Sequence, residues 1–452
     1  MTIRFKYPTM IRFPIKHPEK LTDPTNHYIF ILLCFFMLSC TQEKKQTAEE
    51  FELKIEQLTS GPKHHFFGYI GQCQTIPWNA SGQYILGMEI DTISRMPLPD
   101  EAATIFIIDT KDNNKIIYLD KTYAWNPQQG TMFYWNPNAP ETQFFFNDRD
   151  LETGKVFTVL YDVSERKRVK EYKYADTPIG NGGVAADGSA WLGLNYGRMA
   201  RLRLVTGYPG TFDFSQDEIA PDNDGIFIVD VKTGEKKLLV SFAQIAEKIK
   251  DTDPNLHTGL FINHSLWNRN SDMVYFFARG GWDDNVTSGK RVNVPFSVRS
   301  DGTDLTVHTQ FIGGHPEWDE GYVMFGSAQG EYGETRQVRY DVLKKEIIEY
   351  VGNVAIFQEP EGDVSLSPDA NWFVNGYENY ETNMNIHTVF RRSDGAFARM
   401  GVYNGGYTKN RDIRIDAAPR WNRTNDAILV PGKDKEDETR QMFVIKVIPK
   451  TK

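Results

Sequence analysis

Cysteine is scarce in this chain of 452 residues: three are present, Cys34, Cys40 and Cys73. The first two belong to an apolar N-terminal segment, so no internal disulfide is available to the remainder and its core must hold by packing. A chain of this size with 13% aromatic residues can do so. A positive balance is also missing, for 51 Lys and Arg face 60 Asp and Glu, a formal net charge of −9. With no basic face or tail, a nucleic-acid partner is excluded. No Gly-rich phosphate loop, serine-nucleophile elbow or Cys–Cys zinc pair occurs. Long apolar runs are limited to one, from Tyr28 to Leu38, which is too short for a comfortable membrane span.

That run follows a basic stretch with Arg12, Lys16 and Lys20 and ends in Leu38-Ser39-Cys40, the plan of a secretory signal with a lipoprotein box. Residues 1–40 are accordingly expected to be a leader whose Cys40 becomes the lipidated first residue, and 41–50 a polar tether. The protein is then anchored by lipid to a bacterial envelope membrane, facing either periplasm or medium. An ordinary cleaved signal is the alternative.

From 51 to 452 one phrase recurs seven times: an apolar lead-in, a Trp or smaller substitute, a polar turn, then an aromatic or β-branched run. The copies stand at Trp78-Asn79, Trp135-Asn136, Ala185-Ala186, Trp267-Asn268, Trp318-Asp319, Leu366-Ser367 and Trp421-Asn422. Each is answered by a second β-rich run ending in an Asp or Gly turn, such as Ile107-Ile108-Asp109 and Val298 to Gly302. Strand, turn, strand, repeated at about 50–60 residues, predicts an all-β, seven-bladed β-propeller. The last repeat is one strand short, and the alternating stretch Phe51 to Glu56 is placed to supply it and close the ring. Such a closed ring is expected to be a monomer.

Propellers present ligands at the central funnel. Three residues before the Trp station lie His264, His315, Asp363 and Ala418, so these positions are expected to face one axis. Two imidazoles and a carboxylate suit a divalent metal or an acid–base set. The bland alternative is that each histidine caps a strand end. The longest departure from the repeat, Asn195 to Gly210, carries Arg198, Arg201 and Arg203, bidentate donors suited to carboxylate or sulfate, with Tyr196 and Tyr208 as proton carriers. Its alternative is a solvated loop whose arginines pair with Asp213, Asp217 and Glu218. His64 and His65 before blade 1, Asn126 and Gln128 beside Trp125 before blade 2, and Asn147-Asp148-Arg149 read as a sugar-binding lining or, for the last, a polar hairpin turn.

As an ordered set, His64 to Tyr69, Trp125-Asn126 with Gln128, Asn147 to Arg149, the Arg198–Tyr208 loop, Asn263-His264, His315 with Trp318, and Arg420-Trp421 resemble a bacterial propeller family related to the ulvan lyases and, more distantly, to oligogalacturonate lyases. The resemblance implies β-elimination at a uronic acid of an anionic oligo- or polysaccharide. It sets Asn126, Asn147, Gly182 and Arg198 at the stations of two histidines, a tyrosine and an arginine, so the arginine alone is retained, and Ala418 replaces a further histidine. On this reading Arg198 neutralises the carboxylate, Tyr208 or His264 moves the proton, and His64, His65, Asn126, Gln128, Arg149, Arg203 and His315 bind substrate. The leaving group is either the rest of the glycan chain or water. Two other readings stand beside it: a glycosidase acting at a rhamnose–uronate linkage with His64 or His65 as catalytic group, and a non-catalytic glycan-binding lipoprotein.

Overall fold

The computed structural model describes residues 51–68, 75–250, 258–282, 291–330, 332–406 and 413–450. The leader with Cys40, and also Tyr69 and Cys73, lie outside the described residues. Seven antiparallel four-stranded sheets follow one another along the chain, as the repeat predicts. Blade 1 runs from His64 to Thr122, blade 2 from Tyr134 to Tyr172, blade 3 from Gly180 to Ser241 and blade 4 from Leu260 to Val307. Blade 5 runs from Gly313 to Val351 and blade 6 from Asp363 to Tyr403. Blade 7 combines Arg420–Trp421, Ala427–Lys433 and Arg440–Pro449 with Phe51–Gln57, which pairs from Phe51 opposite Pro449 to Gln57 opposite Phe443. The N-terminal strand therefore closes the ring.

Burial grades across each blade. From blade 3 to blade 7 the first strands of neighbouring blades touch one another, whereas fourth strands such as Lys115–Thr122 and Glu346–Val351 are mostly exposed or half-buried. Middle strands are covered on both faces by adjacent blades, which is why they read as unbroken apolar runs. Phe144, Phe145 and Phe146 are all fully buried.

The recurrent phrase has two structural jobs. The polar residue after the Trp station folds the turn: Asn79, Asn268 and Asn422 accept backbone N–H groups at 2.9–3.2 Å with their side-chain oxygens. The tryptophan bridges blades. Trp135, Trp318 and Trp421 donate their indole N–H to Pro77, Leu266 and Ser365 of the preceding blade at 2.8–2.9 Å.

Among the described residues one α-helix interrupts blade 3 and another follows it, before blade 4. The first, α1 (Tyr196–Leu202), is capped by Asn195, whose side chain accepts the Arg198 N–H. The second, α2 (Phe242–Lys250), starts with a reciprocal Ser241–Gln244 capping box and buries Phe242, Ile245, Ala246 and Ile249 on one face.

Candidate functional site

In blades 4 to 7 the stations three residues before the Trp position meet as the register requires. His315 Nδ1 lies 2.5 Å from Asp363 Oδ1, and Asp363 Oδ2 accepts the Ala418 N–H at 2.7 Å, linking blades 5, 6 and 7. The His264 and His315 rings lie 4.9 Å apart, which adds blade 4. Local backbone explains their aim. His264, His315 and Ala418 have φ of 54°, 47° and 38°, and the pairing register slips between Asn263 and Leu266 and between Gly313 and Glu317. A bulge with a left-handed residue turns that one side chain out of the regular alternation.

Both histidines line a cavity of about 330 Å³ at the junction of blades 4 and 5. Its wall brings Arg279, Gln310, Gln329 and Glu361 to the same space, with Phe277 and Phe311 as apolar surface. Arg279 is the penultimate residue of the second strand of blade 4, opposite Phe261, and its Nε donates to Asn293 at 3.0 Å. The two imidazoles sit in different electrostatic surroundings. Burial, then the neighbouring His315, Arg279 and Arg420, push His264 well below the ordinary histidine value, so its imidazole is neutral at pH 7. His315 Nδ1 is directed at a buried carboxylate, that of Asp363. Burial alone would raise Asp363, but the His315 imidazole outweighs it and the carboxyl lies below its usual value.

The loop residues predicted to act with them take other places. Arg198 is 1% exposed. Its guanidinium donates to the carbonyls of Leu260, Ser215, Glu218 and Ile219 at 2.5–3.2 Å and lies over the Phe242 ring. Burial lowers it to about 10, still charged at neutral pH. It pins the loop to blade 4, and its donors are turned to backbone, where a substrate carboxylate has no access. Arg201 pairs with Asp213 at 2.8 Å, the structural alternative for this loop. Tyr208 is fully buried, stacked on Tyr196 at 4.3 Å, and accepts from Asn147 Nδ2 at 3.0 Å; burial drives its hydroxyl far above the usual tyrosine value. It belongs to the packing.

Asn126 and Asn147 complete the same internal network. Asn126 Nδ2 donates to Gly207 O, and its Oδ1 accepts the N–H groups of Gln128 and Gln129. Gln128 thus closes a turn outside the cavity. Gly182, at the station the resemblance gives to a tyrosine, has no room for one: a Cβ there would lie 2.5 Å from Leu194 Cδ1. Arg149 is buried and donates to Gly210 O and Pro99 O.

The blade 1 histidines are also engaged. His64 Nδ1 accepts the Arg440 N–H at 2.9 Å, and His65 sits buried between Gln441 Oε1 at 2.8 Å and Glu89 Oε2 at 3.1 Å. Neither reaches the cavity wall. Arg203 is half-buried and lies over Trp282. Among the described residues no group of three or more His, Cys, Asp or Glu is placed to hold a metal ion. His315 is hydrogen-bonded to Asp363, whereas His264 meets His315 through a ring contact.

Of the predicted residues, then, His264 and His315 come together, with Asp363 behind them. Arg279 was missed. Its signal was a charge ending the otherwise apolar run Phe276-Phe277-Ala278, whose placement at the cavity depends on the blade's register.

No family model and no curated protein matches the chain. Solved structures do. One is an oligogalacturonate lyase from Vibrio parahaemolyticus, 12% identical, with 88% of this chain and 96% of that one covered and a TM-score of 0.54. Another is the Cps50 (Swd1) β-propeller domain of Myceliophteria thermophila, 11% identical over 85% and 98% of the two chains, with a TM-score of 0.43. At these identities the likeness is one of fold, and function has to be argued from the site.

Proposed function

We propose that the protein is a carbon–oxygen lyase performing β-elimination at a uronic acid of an acidic, ulvan-type oligo- or polysaccharide, tethered to the envelope by lipid on Cys40. The observation that carries this reading is the pair of imidazoles in unlike surroundings at one end of a cavity that also holds a guanidinium. Elimination needs those three parts. Arg279 pairs with the uronate carboxylate and stabilises the charge that builds there as the C5 proton leaves. Neutral His264 takes that proton. The released electron pair forms the C4–C5 double bond as the C4–O bond breaks, and His315, backed by Asp363, returns a proton to the departing oxygen. The fold likeness to an oligogalacturonate lyase supports the same class of substrate.

The test is incubation of the purified protein with ulvan oligomers and oligogalacturonides, followed by ultraviolet absorbance of the unsaturated uronate and by mass. New absorbance with chain scission identifies a polysaccharide lyase. New absorbance with loss of water and no scission identifies a dehydratase of the terminal uronate. Reducing-sugar release without absorbance would sink the elimination and favour a glycosidase, and binding without any product would leave a glycan-binding protein.

A further inference from the structure

Beside the cavity, three arginines surround one indole. The guanidinium carbons of Arg203, Arg279 and Arg291 lie 5.2, 4.9 and 5.4 Å from the centre of the Trp282 ring. They come from separate segments: Arg203 follows α1, Arg279 is the penultimate residue of the second strand of blade 4, and Arg291 precedes the third, Val292–Arg299. The ring itself is held, its N–H donating to Val292 O at 2.8 Å. Cation–π attraction draws each guanidinium to the ring. The three charges still crowd within roughly a Debye length, about 8–10 Å, of one another. In a chain of net charge −9 this is a local concentration of positive charge. Arg279 belongs to both places, lining the cavity and stacking on Trp282.

We infer that Trp282 with Arg203 and Arg291 forms a second anion subsite, which receives the anionic substituent of a sugar neighbouring the one in the cavity. The indole offers a face for a sugar ring, and the guanidinium forks suit a carboxylate or a sulfate ester, two groups with the same hydrogen-bond demand. The inference rests on the proposed substrate class and extends it: the preferred ligand is multiply charged, with anions on adjacent residues.

Calorimetric titration of the full protein tests this independently of turnover. The probes are a singly charged uronate disaccharide, oligogalacturonides, ulvan oligomers and the same oligomers after desulfation. Arg291→Gln and Arg203→Gln are each expected to weaken binding of multiply charged oligomers about tenfold, the worth of one charge-assisted contact, and to flatten its salt dependence. Affinity for the singly charged disaccharide should hold, and unchanged melting temperatures would show that the variants fold. Loss confined to sulfated oligomers assigns the subsite to sulfate, and loss on oligogalacturonides as well assigns it to carboxylate. Wild-type affinities in both variants, equal losses on every probe, or no oligomer binding by the wild type would overturn the inference. Weakened binding in the variants with no unsaturated product from the wild type would keep the subsite and remove the lyase reading.

Discussion

At the scale of single residues, the useful contrast is between His264 and Arg198, two groups that the sequence reading placed in one mechanism. His264 lines the cavity, so His264→Gln should lower turnover by ~10²–10⁴, the usual worth of a general base, with little change in melting temperature. Because its imidazole is held well below the ordinary value by burial, the base stays neutral in mildly acidic solution, and turnover should persist below pH 6.5. A rate profile that already falls at or above pH 6.5 with an otherwise stable protein would remove His264 as base. Arg198 is expected to behave in the opposite way. Removing it strands several buried carbonyls, each costing about 1–3 kcal/mol, so Arg198→Ala should melt markedly lower while the rate per folded molecule is retained. Melting temperature and initial rate measured on one preparation separate the two roles, and a normal melting temperature with lost turnover would return Arg198 to the chemistry.

At the scale of the element, the tryptophan of the repeated phrase is a bridge in some blades and a filler in others. Trp318 gives its N–H to Leu266 across the blade interface, whereas Trp267 is buried with its Nε1 unpartnered. Trp318→Phe therefore leaves a buried carbonyl without its donor and should cost about 1–3 kcal/mol in denaturant unfolding. Trp267→Phe loses volume alone and should cost less, and equal costs would show that the bridge contributes nothing beyond packing. The repeat itself was legible because turn chemistry and alternation are local: Asn268 folds its turn with partners at most five residues away. The station of His264, His315, Asp363 and Ala418 was legible for a related reason, since equivalent offsets in equivalent repeats must face one axis. The fate of the Arg198 loop was not. Whether a guanidinium meets solvent or backbone depends on Leu260, 62 residues away in sequence, and on the way Ser215 to Ile219 wrap over it.

For the whole molecule, closure rests on the strand Phe51–Gln57, with Phe51 buried against Trp372 at 4.9 Å between ring centres. Deleting residues 51–57 should leave Arg440–Pro449 as an open edge and produce aggregation visible by light scattering; a monodisperse deletion variant would refute closure by that strand. A second global property follows from Glu378, which burial, aided by Asp416, raises to about 7 against Arg414. Its folded value lies above its unfolded one, so the folded state binds more protons between pH 4.5 and 7 and stability falls as pH rises through that window. Glu378→Gln should therefore raise the melting temperature at pH 8 and converge on wild type toward pH 4.5. Identical curves at both pH values would show that the carboxyl titrates normally. Taken by itself, the sequence determined the all-β class, the sevenfold repeat, the closing strand and the convergence of His264 with His315, because each follows from short-range pattern repeated at a fixed interval. Only the tertiary structure decided that Arg279 joins them, that Arg198, Tyr208, Asn126 and Asn147 are internal, and that three arginines share Trp282. Those placements depend on which distant segments exclude water from a polar group, and solvent exclusion is a property of packed segments that no single segment carries.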